Sequence, residues 1–153
     1  MVETNDRRLP VGIQSFEEIR KNGYLYVDKT DIIWQLVNRG KTYNYLIRPR
    51  RFGKSVLVDT LEAYFMGKKE LFEGLKIMQM ETEWVKRPVI RLDMSRAGAE
   101  PDTLRSYLNN IFKQYEEEYS LAPDPTDSLA DRFNAIIVGA YEQTGQQVAI
   151  LID

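Results

Sequence analysis

Apolar residues spaced three and four apart mark most of this chain as helical, and short continuous apolar runs between those stretches mark strands. Ser15, Phe16, Glu17 and Glu18 have the S-x-x-E spacing of a capping box, which predicts a short helix over 16–21 stopped by Gly23. Tyr24 to Val27 is a brief β-prone run. Ile32, Ile33, Leu36 and Val37 share a face, so a helix is expected over 31–39, closed by Gly40. Residues 42–47, Thr-Tyr-Asn-Tyr-Leu-Ile, read as a buried strand. Leu57, Leu61 and Phe65 stand four apart, with Val58 and Tyr64 widening the stripe, and predict a helix over 56–66 ended by Gly67.

After a polar stretch that includes Trp84, residues 88–94 read as a second strand. Leu104, Leu108, Ile111, Phe112 and Tyr115 line one side of a long helix over 103–119. In that helix Tyr115 and Tyr119 form a core-facing edge and Glu116, Glu117 and Glu118 a wet face. Ala122-Pro123-Asp124-Pro125 breaks it, a further helix follows over 129–143, and Gly145 closes that one. Val148 to Asp153 is a continuous apolar strand carrying a carboxylate at its end. Near-continuous apolar strands separated by helices predict an α/β fold with a parallel sheet covered on both faces. Residues 1–8 are expected to be flexible and 9–153 to form one domain, with no internal repeat or low-complexity tract.

Composition narrows the chemistry. The 153 residues include no Cys and no His, which excludes a disulfide framework, the usual zinc ligand sets, a Cys nucleophile and an imidazole base. What is left is carboxylates, Lys, Arg, hydroxyls, backbone amides and metals held by oxygen. No run is apolar and long enough to cross a membrane, and no signal-peptide pattern opens the chain, so a cytoplasmic protein without a membrane partner is expected. The net charge of -2 hides an asymmetry: from Ile32 to Val58 there are six basic residues and no acid, whereas from Gly98 to Asp127 seven acids face Arg105 and Lys113. A basic stretch inside a mildly acidic chain fits one anionic group better than a long nucleic acid.

That stretch contains Arg48-Pro49-Arg50-Arg51-Phe52-Gly53-Lys54-Ser55, between an expected strand and an expected helix, which is the setting of a P-loop. There, backbone N–H groups and a helix N-terminus favour phosphate. Gly53 allows close approach of the backbone, Lys54 reaches the terminal phosphates, and the Ser55 hydroxyl ligates Mg²⁺. Arg50 and Arg51 are further candidates for phosphate contact. The pattern G-x-x-x-x-G-K-[ST] asks for Gly at position 48, where this chain has Arg, and Pro49 removes one amide donor. Asp153, ending a buried strand, supplies the second carboxylate that a P-loop enzyme needs for its Mg²⁺ shell. Asp93, ending the strand over 88–94, is a candidate for the same sheet edge. Asp28 and Lys29 read as capping the helix that follows them.

These residues resemble the AAA-ATPase-like proteins of bacteria, often joined to a C-terminal PD-(D/E)XK nuclease-like domain. The resemblance runs from Leu9 onward and rests on Gly12 to Arg20, Tyr26-Val27-Asp28-Lys29-Thr30, the R-P-R-R-F-G-K-S string, Leu71 to Leu75, Pro88 to Asp93 and Leu151-Ile152-Asp153. It accounts for Arg48, because the family's own Walker A variant carries Arg there. It implies a three-layer P-loop NTPase fold with an AAA-like parallel sheet, incomplete at the C-terminus. It also implies ATP and Mg²⁺ as cofactors, bound by Arg50, Arg51, Phe52, Gly53, Lys54 and Ser55, with Lys54 catalytic, Ser55 and Asp153 on the metal, and Asp153 as the Walker B aspartate. Relatives continue into D-E-Y-D, whose Glu polarises the attacking water. With Asp153 last, the expectation is an N-terminal portion of the ATPase domain that hydrolyses ATP poorly alone, lacks a strand beside residues 43–47 and exposes an apolar sheet edge. Two other classes remain open: an interaction module binding nucleotide without turnover, and a nucleic-acid-binding domain using Arg39 to Lys54.

Overall fold

The computed structural model describes residues 8–39, 42–47, 49, 52–98 and 100–153. The expected flexible segment as far as residue 7, the closing Gly40, and the loop positions Arg48, Arg50 and Arg51 lie outside the described residues.

Local capping sets the helices. In α1 (Phe16–Lys21) the Ser15 hydroxyl accepts the Glu18 N–H at 3.3 Å, as the spacing predicts. Helix α2 (Thr30–Asn38) begins where Asp28 accepts both the N–H of Thr30, at 2.9 Å, and its hydroxyl, at 2.7 Å. The other Asp28 oxygen takes the Lys76 N–H at 2.8 Å, so the cap also ties α2 to a later turn. Helix α3 (Lys54–Phe65) starts two residues earlier than its apolar stripe, directly after Gly53. Helix α4 (Pro101–Glu118) also starts early, because proline's fixed φ and missing N–H suit the first helical position. In α5 (Leu129–Thr144) Ser128 and Asp131 form a reciprocal capping box, and Gly145, at φ 65°, closes the helix.

The chain divides into two units, one up to Val85 and the other Lys86–Asp153. In the first, α1 packs on α3, and Phe16, Ile33, Phe72 and Ile77 are fully or almost fully buried. Phe16 stacks obliquely on Phe72, with ring centroids 5.0 Å apart. Asp59 of α3 accepts the Phe16 N–H at 2.6 Å, so a side chain of α3 holds the start of α1. Arg20 reaches across to the carbonyls of Leu71, at 2.8 Å, and Glu73, at 2.6 Å.

The second unit holds the sheet. Strands β1 (Val89–Leu92) and β2 (Ala149–Ile152) pair in parallel, Val89 opposite Ala149 through Leu92 opposite Ile152, with α4 and α5 as the connection that parallel pairing demands. Ile90, Leu92, Phe112, Tyr119, Ile136 and Ala140 form its core. Each fully buried isoleucine there contributes about 2 kcal/mol of transfer free energy. Phe112 and Phe133 stack at 5.3 Å. Gly139 makes room for Leu121, whose Cδ2 would lie 2.7 Å from any added Cβ.

The outer edge of β1 is closed by α4. The Arg91 N–H donates to the Tyr115 hydroxyl and the Asp93 N–H to the Tyr107 hydroxyl, each at 2.8 Å. These N–H groups would otherwise be free to pair with another strand.

Three expectations are corrected. Residues 24–27 and 42–47 form no strand among the described residues. Tyr43 and Tyr45 are each 91% exposed and Ile47 is 83% exposed. A strand is stabilised by its neighbours rather than by its own composition, and the two strands of the sheet pair with each other. Glu116 is not on a wet face: it is buried and grips Arg132 through two parallel hydrogen bonds of 2.7 and 2.8 Å. Arg132 also donates to the Asn109 side chain at 2.6 Å and lies over the Phe112 ring. That pairing offsets the cost of burying the carboxylate, and its hydrogen bonds raise the pKa of Arg132.

The result is an α/β fold with a small parallel sheet. No described helix is long and apolar enough to cross a membrane.

Candidate functional site

Four of the expected loop residues stand together at the start of α3. Gly53 is its N-cap at φ 72°, in the left-handed region where a side chain is strained, and no atom lies within 4 Å of where a Cβ would sit. Lys54 and Ser55 are the first two helical residues, both half-buried, and Phe52 is 63% exposed. The first turn of α3 carries no acid, and no side chain among the described residues caps it. Such an N-terminus presents unpaired N–H groups and the positive end of the helix dipole, with a Lys beside them. It can receive a multiply charged anion. Arg50 and Arg51, the other candidates for phosphate contact, lie outside the described residues.

Asp153 stands in the second unit, half-buried, one residue beyond β2. Its main chain is held by the exit of β1: the Asp153 N–H donates to the Leu92 carbonyl at 2.9 Å, and its main-chain oxygen accepts the Met94 N–H at 2.8 Å. Asp93 occupies the matching position after β1, so the two acidic residues end neighbouring strands on the same side. They are used differently. The Asp93 carboxylate accepts from the Ser95 N–H at 3.1 Å and the Ser95 hydroxyl at 2.5 Å, and meets the Arg96 guanidinium at 3.1 Å. The Ser95 hydroxyl hydrogen bond in particular, with help from the Ser95 amide and from Arg96, holds the Asp93 carboxyl below the usual carboxylate range despite some burial. Asp93 is therefore spent on its own turn, Met94–Arg96, a short 3-10 helix.

Among the described residues no three Asp or Glu carboxylates gather into a site that would hold a metal by themselves. Ser55 and Asp153 are hard oxygen donors of the kind Mg²⁺ takes, and Mg²⁺ is usually bound by one or two such groups together with substrate phosphates. Each of them, in its own unit, has the chemistry of a Mg²⁺ ligand. Two open clefts lie elsewhere. One, of about 480 Å³, is lined by Asn109, Lys113, Glu117, Leu121 and Arg132, and the other, of about 290 Å³, by Ile32, Gln35, Leu36, Arg39 and Asn44. In the larger, Arg132 is already committed to Glu116 and Asn109.

Tyr107, Tyr115 and Ser95 support this end of the sheet, and none is singled out by motif. The traces in the sequence are the place of Tyr115 on the core-facing side of α4 and the two-turn spacing that sets Tyr107 on the same face.

The profile of the family described as Predicted AAA-ATPase matches residues 10–153. Over 151 residues the chain is 36% identical to a protein of Azotobacter chroococcum mcd 1, described as an uncharacterized protein in the vnfD 5' region. The match takes in 96% of this chain and 28% of that protein's length. No solved structure matches.

Proposed function

The chain belongs to the predicted AAA-ATPase family, and on that premise we propose that it binds Mg·ATP at Phe52 to Ser55 and that a longer protein containing it hydrolyses ATP. The observation that carries the proposal is the start of α3: a left-handed Gly53 followed directly by Lys54 and Ser55, with no capping side chain and no acid in the first turn.

Each residue has a distinct task. The amides after Gly53 donate to the phosphate oxygens at the helix N-terminus. The Lys54 ammonium neutralises the terminal phosphates, in the ground state and as charge develops during transfer. Arg50 and Arg51 add positive charge to the same anion. The Ser55 hydroxyl and the Asp153 carboxylate are the residues that would hold Mg²⁺, which when bound would supply charge to offset that of the phosphates. The small parallel sheet belongs, in this proposal, to a larger three-layer P-loop sheet.

Lys54→Ala is expected to weaken ATP binding by about tenfold or more, read by titration calorimetry at fixed Mg²⁺. Equal affinity of variant and parent overturns the proposal.

A further inference from the structure

The placement of Asp153 depends on three residues of the neighbouring strand exit. Its N–H is fixed to Leu92 and its main-chain oxygen to Met94, so whatever sets the path of residues 92–94 sets where the Asp153 carboxylate stands. Asp93 lies between those two anchors. Its N–H is fixed to the Tyr107 hydroxyl at 2.8 Å on the outer side of β1. Its carboxylate turns the chain out of the strand by taking the Ser95 amide and hydroxyl, while Arg96 closes on the second oxygen. Both oxygens are engaged inside the turn, which suits a support better than a metal ligand.

We propose that Asp93 is a positioning residue for Asp153: its carboxylate holds the Met94–Arg96 turn so that the Met94 N–H stays on the Asp153 main chain and the Asp153 carboxylate is presented to the metal. The inference rests on the assignment of Asp153 to Mg²⁺ made above. Tyr107 serves the same end from α4 by fixing the strand at the preceding amide.

The test compares the parent chain with Asp93→Ala, Asp93→Asn and Asp153→Ala, measuring ATP affinity with Mg²⁺ and with EDTA, and hydrogen exchange at the Met94 and Leu151 amides. Asp93→Ala is expected to cut the Mg²⁺-dependent gain in affinity by about tenfold, the size typical of a lost supporting contact, and to speed exchange at Met94, with EDTA affinity unchanged. Asp93→Asn keeps the Oδ1 acceptor for Ser95 and is expected to restore most of the gain. Parent-like exchange at the Leu151 amide, in the sheet of the same unit, shows that the loss is not general unfolding. If Asp153→Ala loses the Mg²⁺ gain while Asp93→Ala keeps it, the positioning role is overturned and the metal assignment stands. If Asp153→Ala keeps the gain, the metal assignment fails and the positioning role falls with it.

Discussion

Residues 42–47 and Val148 to Ile152 are alike in composition and unlike in outcome. Both are short runs of β-branched, aromatic or aliphatic residues flanked by polar ones. The second lies in a parallel sheet, with Leu151 buried and its main chain bonded to β1, while the first leaves Tyr43, Tyr45 and Ile47 exposed outside any strand. The difference is the neighbour. A helix closes its hydrogen bonds within itself, but a strand contributes only half of each ladder, and among the described residues β1 supplies the other half to β2.

The largest expected contrast between the two runs is in amide exchange. The Leu151 amide should exchange on the order of a thousandfold more slowly than that of Ile47, measured by deuterium uptake at neutral pH. Comparable protection at both would mean that residues 42–47 are paired after all. Truncation comes next: Ile90→Ala, in the core of the second unit, should cost about 3 kcal/mol in urea unfolding, whereas Ile47→Ala should stay within about 0.5 kcal/mol. A smaller effect probes the edge of β1. Tyr115→Phe removes the hydroxyl that takes the Arg91 N–H and should cost about 1 kcal/mol, checked by the same unfolding curves.

The smallest effect is one of pH in the first unit. Hydrogen bonds from Lys21 and Lys68, and the charge of both, hold the Glu17 carboxyl down to about 2, against an ordinary value of 4.5. The folded form therefore takes up this proton at lower pH than the unfolded form does, so the stabilisation is complete above 4.5 and is lost as pH falls toward 2. Glu17→Gln should flatten that part of the stability profile, and variant and parent should converge near the acid end of an acid titration followed by circular dichroism. Since both ion pairs keep a third or more of each side chain in solvent, the gap at neutral pH should be slight.

Helices were legible because their signals are local. Ser15 and Glu18, Gly145 after the apolar stripe of α5, and the four-residue spacing of Leu57, Leu61 and Phe65 each act within a turn or two of the residue they order. The loop at Gly53 was legible for the same reason: a glycine, a lysine and a hydroxyl in sequence at a helix start. What escaped were contacts between residues far apart in the chain. Glu116 sits in an acidic run that reads as solvated until Arg132, sixteen positions on, turns it inward. Asp93 looks like a ligand until Ser95 and Arg96 are seen to occupy it. The strand pattern at 42–47 records what the run is able to do and says nothing of whether a neighbour is at hand.

The two tyrosines of α4 make the sheet directional. With the Arg91 and Asp93 amides occupied by hydroxyl groups, β1 behaves like the capped end of a polymer, where addition stops. A strand added beside β1 would find these two amides already taken, so growth of the sheet, and pairing between two copies meeting edge to edge, is favoured beside β2 rather than through β1.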